Sequence, residues 1–260
     1  PYLCEGDNEL VIWLGQGWYK RGTFGRWQPG EPYSEPLVRA QLDIRSANSR
    51  QTVCRTDTAW RAALSGYRDT GSWNALDFGG EEIDARRNPR SMSRADLDAL
   101  EWQPVVTVEK PGHRATPQMV EPDCIQERLT ACGLHEAAPG VWRLDFGRVV
   151  TGWLEADFAG LPAGARVEIE YSDETDAGDN LADQRQHDTY IARGDGRERF
   201  TNKFNHHAFR YAEVRGLVQT PRREDFRALA IHTDYRTEAT FASSDADLNA
   251  IHDMIARTLR

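Results

Sequence analysis

Four carboxylates crowd one stretch of the chain: Asp173, Glu174, Asp176 and Asp179. Paired carboxyls do the acid and base work of glycoside cleavage, where one must hold a proton and the other lose it. These four stand among Ser, Thr, Gly and Asn, with no apolar neighbour to raise a pKa, which predicts a solvated loop rather than a catalytic pair. Their spacing also departs from the Asp-x-Asp-x-Asp-Gly pattern of a calcium loop. His206 and His207 are adjacent, and on an extended segment neighbours point to opposite faces, so the two cannot share one metal ion and surface histidines are expected. Cys4, Cys54, Cys124 and Cys132 show no Cys-x-x-Cys spacing, which predicts scattered buried thiols rather than a zinc site. The chain holds no Gly-x-Ser-x-Gly elbow, no phosphate-cradling glycine loop and no His-Glu-x-x-His. The sequence signatures of nucleophilic, nucleotide and zinc-hydrolase chemistry are therefore missing, and no catalytic residue is expected here.

Aromatic residues are the remaining chemical signal. Several of the eight tryptophans adjoin glycine, as in Gly17-Trp18-Tyr19, Gly25-Arg26-Trp27, Gly71-Ser72-Trp73 and Gly152-Trp153. The C–H face of a pyranose stacks on such rings while Asp and Asn bind its hydroxyls, so Trp18, Trp27 and Trp73 in glycine-rich loops are candidate sugar platforms. Core filling explains these three equally well. It is the expectation for Trp13, Trp142 and Trp153, which fall in predicted strands.

The elements that would position these residues are mainly strands. In residues 10–14, Leu10, Ile12 and Leu14 share one face and Val11 and Trp13 the other, which predicts a strand buried on both sides, bounded by Gly6-Asp7-Asn8 and Gly15-Gln16-Gly17. Residues 37–44, 51–55 and 105–109 are expected to be further strands, joined by long loops at 22–36 and 69–88. A Pro- and His-containing stretch at 110–122 predicts a linker. Beyond it, residues 141–146 place Trp142, Leu144 and Phe146 on one face. In 165–171, Val167, Ile169 and Tyr171 alternate with Arg166, Glu168 and Glu170, the pattern of a half-solvated antiparallel strand. Residues 209–214 and 228–232 add two more, and this density of short strands predicts β-sandwiches rather than an α/β fold. After Ala242 the period changes: Ser244 and Asp247 make a capping-box-like start, and Leu248, Ile251, Ile255 and Leu259 follow at helical spacing.

Composition narrows the partners. A formal charge of −9, from 32 Lys and Arg against 41 Asp and Glu, with no basic face, argues against nucleic acid and anionic membrane as partners. No window approaches the apolar run of a spanning helix, and the first nine residues lack the zones of a signal peptide. The chain begins without Met and stops inside a predicted helix, so both ends are expected to be cuts in a longer protein.

The ordered motifs resemble one family. Asp145-Phe146-Gly147, Gly152-Trp153, Ala159-Gly160 and Tyr171-Ser172-Asp173-Glu174 are similar to the β-sandwich that leads into the catalytic domain of bacterial α-L-rhamnosidases, family 78 of the glycoside hydrolases. The likeness continues through Asp188-x-Tyr190-Ile191, Gly194-x-Gly196-x-Glu198 and Phe209-Arg210-Tyr211-x-Glu213-Val214-x-Gly216. Phe241-x-x-Ser244-x-x-x-Leu248-Asn249-x-Ile251 resembles the entry into that family's (α/α)6 barrel. In the first half, Gly6-Asp7-Asn8, Gly15-x-Gly17-Trp18-Tyr19, Thr56-Asp57-x-x-Trp60 and Gly80-Glu81-x-x-Asp84-Ala85-Arg86 resemble the preceding jelly-roll domain. The family usually continues Asp-Phe-Gly with Gln-Asn, where this chain has Arg148-Val149.

The resemblance implies an all-β chain: a jelly-roll or galactose-binding-like antiparallel sandwich over 1–110, a second antiparallel sandwich over 111–240, and the first helix of a missing α/α barrel at 241–260. It implies a parent hydrolase that removes terminal α-L-rhamnosyl residues by inversion, with its catalytic carboxylates in the barrel, so this part alone would be inactive. Carbohydrate and the parent's own catalytic domain would be its partners. No cofactor is required, and calcium is admitted in the first domain, because in some members an Asp-Asn pair and a Trp contact sugar and calcium. Asp7, Asn8 and Trp27 are the nearest matches. Two alternatives stay open: an L-rhamnose-binding module, and a purely structural spacer.

Overall fold

The computed structural model describes residues 4–6, 8–15, 36–71, 77–109, 116–234 and 240–258. Along the chain these form β1 (Gln41–Ser46), β2 (Ser49–Arg55), β3 (Arg61–Ala62), β4 (Tyr67–Thr70), β5 (Gly80–Asp84), the short helix α1 (Arg94–Asp98), β6 (Gln103–Pro104) and β7 (Asp123–Thr130). Then come β8 (Gly133–Ala138), β9 (Val141–Ala159), β10 (Arg166–Ser172), β11 (Gln186–Ile191), β12 (Arg197–Thr201), β13 (His207–Arg215), β14 (Phe226–Thr233) and the helix α2 (Ala246–Thr258). The chain is all-β with a C-terminal helix, as its alternating patterns predict. It divides into two compact units, one of Pro1–Ser65, Ser72–Ala75 and Pro89–Lys110, the other of Gly66–Gly71, Leu76–Asn88 and Pro111–Arg260.

In the first unit, β1 and β2 form an antiparallel hairpin, and β3 pairs with β6. Helix α1 starts at Ser93, whose hydroxyl accepts the Asp96 N–H, and it buries Leu97. The Trp102 indole donates to the Leu97 carbonyl at 2.7 Å and the Trp60 indole to the Arg55 carbonyl at 3.0 Å, so both rings brace local turns. Residues 10–14 are not a strand: Leu10, Val11 and Leu14 are exposed and Trp13 is half-buried. Alternation is a weak guide to strands where the apolar side chains stay in water. Residues 105–109 are likewise irregular, with Val106 and Val108 exposed.

The second unit is one curled ten-stranded sheet in the order β4-β5-β11-β10-β13-β9-β14-β7, with β8 and β12 also pairing to β9. The nineteen-residue β9 is its spine. Its even-numbered residues Leu144, Phe146, Val150, Leu154, Ala156 and Phe158 are buried, while Glu155 and Asp157 on the other face bind Arg199 and Arg227. Gly152 sits where a Cβ would lie 1.9 Å from the Leu229 carbonyl oxygen, so glycine is what lets β14 cross so closely. Val167, Ile169 and Tyr171 of β10 face the core as their alternation predicts, with Phe200, Phe209, Val214 and Phe226.

Three expectations are corrected here. The sheet is not wholly antiparallel, because β5 pairs parallel to β11. This strand and β4 come from the first half of the sequence, within or beside 69–88, where a loop is expected; β5 arrives from a distant stretch, so no hairpin turn dictates its direction. Trp142, near the start of β9, and Trp153, on its outer face, are half-buried and outside the core cluster. No cysteine is fully buried: Cys4 and Cys132 are exposed, Cys54 and Cys124 partly so, and all four are free thiols.

Helix α2 is capped by Asp245, whose carboxylate accepts the N–H groups of Asp247 and Leu248 at 2.9 and 3.2 Å, so the cap lies one residue beyond Ser244. Its apolar residues Leu248, Ile251 and Ile255 are exposed, and no residue of the helix is buried. Among the described residues no helix is long and apolar enough to cross a membrane.

Candidate functional site

The chemistry of the second unit concentrates where β5, β10, β11 and β13 meet. Asp188, on β11, is 1% exposed, and its carboxylate is saturated with donors. Oδ1 accepts the Glu81 N–H at 2.7 Å; Oδ2 accepts the Tyr171 hydroxyl at 2.6 Å and the Asn202 amide at 2.7 Å, and lies 3.1 Å from His207 Nε2. Asn202 is fixed from its other end, since its Oδ1 accepts the Leu154 N–H at 3.0 Å. His207 stacks on Tyr171 with ring centroids 4.2 Å apart.

Glu81, on β5, is equally buried and lies in a nest of backbone donors formed by the turn before β13. Its Oε1 accepts from Phe204 and Asn205 at 2.5 and 2.8 Å, and its Oε2 from Lys203 at 2.9 Å. Burial and the adjacent Asp188 charge push the Glu81 carboxyl above the usual range, against the pull of those three N–H groups. Burial alone would raise Asp188 too, but the His207 interaction and the hydrogen bonds from His207, Tyr171 and Asn202 outweigh it and hold that carboxyl below its ordinary value. Burial, with the Asp188 charge behind it, drives the Tyr171 phenol far up.

Two carboxylates with displaced pKa values resemble an acid and base pair, but every oxygen is occupied by an internal donor and no side reaches solvent. General acid–base catalysis needs a carboxyl within reach of a substrate proton. This arrangement instead pins β5, β10 and the 202–205 turn onto β11 through the donors that fill both carboxylates.

The other motif carboxylates behave alike. Glu213 is paired with the buried guanidinium of Arg143 at 2.7 Å. Glu198 accepts the N–H groups of Arg193, Gly194 and Asp195 and the Tyr190 hydroxyl at 2.8 Å, closing the turn before β12. Asp145 holds Arg210 through two bonds of 2.9 Å.

The acidic stretch at 173–185 is a loop, as predicted. Asp176 accepts from Gly178 N–H and Asn180 N–H at 2.8 and 2.9 Å, an Asx-type turn whose donors hold its carboxyl low. Asp179 is tied to Arg143 at 3.0 Å, and Asp173 to Gln184. Among the described residues no three His, Cys, Asp or Glu side chains gather to hold a metal ion.

Of the sugar-binding candidates, Asp7, Trp18, Trp27 and Trp73 lie outside the described residues. Asn8 is described, and its amide is engaged by its own turn: Oδ1 accepts the Cys4 N–H at 2.9 Å, and Nδ2 donates to the carbonyls of Cys4 and Gly6 at 2.9 and 3.0 Å. His206 is exposed as expected, but His207 is not a surface residue. It begins β13 on the inward-facing parity of Phe209, and Asp188 compensates its burial. The signal that marks this cluster in the sequence is a carboxylate beside strand-forming apolar residues, Asp188 before Tyr190-Ile191 and Glu81 before Ile83.

Two family models match successive parts of the chain. The α-L-rhamnosidase N-terminal domain matches residues 1–127, and the bacterial α-L-rhamnosidase concanavalin-like domain matches residues 135–232. An α-L-rhamnosidase of Streptomyces avermitilis is 28% identical over 257 residues, covering 96% of this chain and 24% of its own length. Among solved structures, the α-L-rhamnosidase from Dictyoglumus thermophilum superposes with a TM-score of 0.77 at 24% identity, over 92% of this chain and 26% of that one. The Streptomyces avermitilis α-L-rhamnosidase complexed with L-rhamnose gives 0.68 at 25% identity, over 84% and 21%. The chain spans about a quarter of the length of the curated relatives it matches.

Proposed function

From a chain that belongs to the α-L-rhamnosidase family by its N-terminal and concanavalin-like domains, we infer that it is the non-catalytic β-rich part of a hydrolase that removes terminal α-L-rhamnosyl residues from glycosides or polysaccharides with inversion. The succession of the two family domains over nearly the whole chain carries this reading. The state of the carboxylates supports the non-catalytic role. Inversion needs an acid and a base roughly 6.5–9.5 Å apart across an open sugar pocket, whereas Glu81 and Asp188 are sealed in the core and the acids of 173–185 are braced in a solvated loop. The partners in this reading are carbohydrate and an (α/α)6 catalytic domain of the same parent.

Assay of the parent enzyme and of this chain alone on an aryl α-L-rhamnoside tests it. Turnover is expected from the parent and none from the chain. Turnover by the purified chain, lost on Asp173→Asn or Glu174→Gln, would overturn the non-catalytic assignment. Calorimetry with L-rhamnose, in the presence and absence of calcium, tests whether the first domain itself holds sugar. Engagement of the Asn8 amide by its own turn weighs against a direct part for that residue.

A further inference from the structure

The family's N-terminal domain takes in residues 1–127, yet β4 and β5 lie inside that span and complete the sheet of the other unit. We propose that the β11 edge, together with the 202–205 turn, is a strand-receiving site selective for an extended Gly-Glu-x-Ile segment, and that the chain fills it with its own residues 77–88.

The site reads its occupant at successive positions. Backbone pairing runs parallel, with Thr189, Tyr190 and Ile191 opposite Glu82, Ile83 and Asp84, and the His187 N–H donates to the Gly79 carbonyl at 3.2 Å. At Gly80 a Cβ would lie 1.5 Å from the His187 carbonyl oxygen, so only glycine allows this approach. The Glu81 carboxylate enters the nest of Lys203, Phe204 and Asn205 N–H groups while its own N–H is taken by Asp188. Ile83 goes into the core, 3% exposed. Past the strand, Arg193 Nε donates to the Ala85 carbonyl at 2.9 Å and Nη2 to the Asn88 carbonyl at 2.6 Å, holding the segment's exit. β4 covers the far edge, its Tyr67 packing edge-on against Phe204 at 6.1 Å. This is strand addition, in which main-chain bonds supply affinity and side-chain sites supply selection. A segment in the same chain is present at an effective concentration on the order of millimolar and excludes competitors.

The test uses the full chain. A labelled peptide of residues 77–88 is titrated into the wild-type protein and into the Glu81→Ala variant, alongside a peptide carrying Glu81→Gln. Binding to the variant but not to the wild type, with the Gln peptide roughly tenfold weaker as expected for losing a hydrogen bond to a charged acceptor, supports the proposal. Equal binding of the two peptides, or failure of both to bind a folded variant, overturns it. Should Glu81→Ala fail to fold, native-state hydrogen exchange on the wild type decides: amides of β4 and β5 are expected to open as one unit while those of β10 and β11 stay protected. Opening of β4 and β5 only together with β10 and β11, or in step with β1 and β2, overturns the assignment.

Discussion

Replacing Asp188 by Asn removes one charge from the interior while keeping the side chain's shape, and the donors around it determine the cost. Four of them converge on the carboxylate, from Glu81, Tyr171, Asn202 and His207. The Tyr171 hydroxyl can rotate to accept, and the His207 ring can present a lone pair in its other tautomer. Asn202 cannot adapt, because its Oδ1 is held by the Leu154 N–H, so its amide would face the new NH2 group donor to donor. Turning the new amide over moves that conflict to the Glu81 N–H. One orphaned buried donor costs about 1–3 kcal/mol, and the remaining bonds lose their charge assistance, so destabilisation on the order of 3 kcal/mol is expected. For a body of this size that is a fall in Tm of roughly 6–12 °C at pH 7.

The pH dependence of that gap has a definite sign. The folded-state pKa of Asp188 is lowered, so its contribution is present above the unfolded value of about 3.9 and is lost as pH falls through the folded value. The Tm gap between wild type and variant should therefore narrow on acidification below about pH 4. Glu81 works the other way: its raised value makes its contribution largest in acid and smaller as pH rises toward that value. Removing the Asp188 charge relieves the push on Glu81 and offsets part of the loss near neutrality. Scanning calorimetry of both proteins from pH 3 to pH 8 measures this. A variant within about 1 °C of wild type at pH 7, or a gap that widens in acid, would refute the reasoning.

Arg143→Met leaves Glu213 with only the half-exposed Arg215 at 3.0 Å and unties Asp179; a loss of about 2–4 kcal/mol is expected, with faster proteolytic cutting within 173–185 as the independent readout. Changing Leu248, Ile251 and Ile255 together to Ser should lower self-association in sedimentation while moving Tm by less than about 1 °C, since these side chains are already exposed. A large drop in Tm would mean that α2 packs on the sheet. Gly152→Ala should destabilise by about 2 kcal/mol or more, because its Cβ would collide with the Leu229 backbone; an unaffected denaturation midpoint would contradict the crossing of β9 and β14.

The second unit is legible in the sequence to the extent that its strands have one wet and one dry face. The alternation in 165–171 marks β10, because Arg166 and Glu168 face solvent while Val167 and Ile169 face the core. β5 escapes such reading: its core-facing set includes a glycine and a buried glutamate as well as Ile83, and local periodicity does not show that Asp188, 107 residues away, makes that glutamate an inward residue. His207 escapes for the same reason, its compensating carboxylate lying on another strand. Residues 10–14 mislead in the opposite direction: their alternation is strong, yet the stretch is not a strand and Leu10, Val11 and Leu14 stay exposed. The family motifs carry the identification although their carboxylates are structural. Glu81, Asp188, Glu198 and Glu213 each satisfy several donors at once, so their places are set by the fold rather than by a substrate.

The length of β9 also sets an order of events during synthesis. It pairs with β13 over 141–152 and with β14 over 152–156, and both partners are made after it. At about 5–20 residues per second, the 74 positions between the end of β9 at Ala159 and the end of β14 at Thr233 take roughly 4–15 s to emerge. Through the early part of that interval β9 can pair only with β8, along residues 141–145, so its inward-facing Leu154 and Phe158 lack the strands that later cover them. The nascent chain is therefore most vulnerable to misassociation midway through this unit, and substitutions that slow translation there should lower soluble yield without altering the stability of the finished fold.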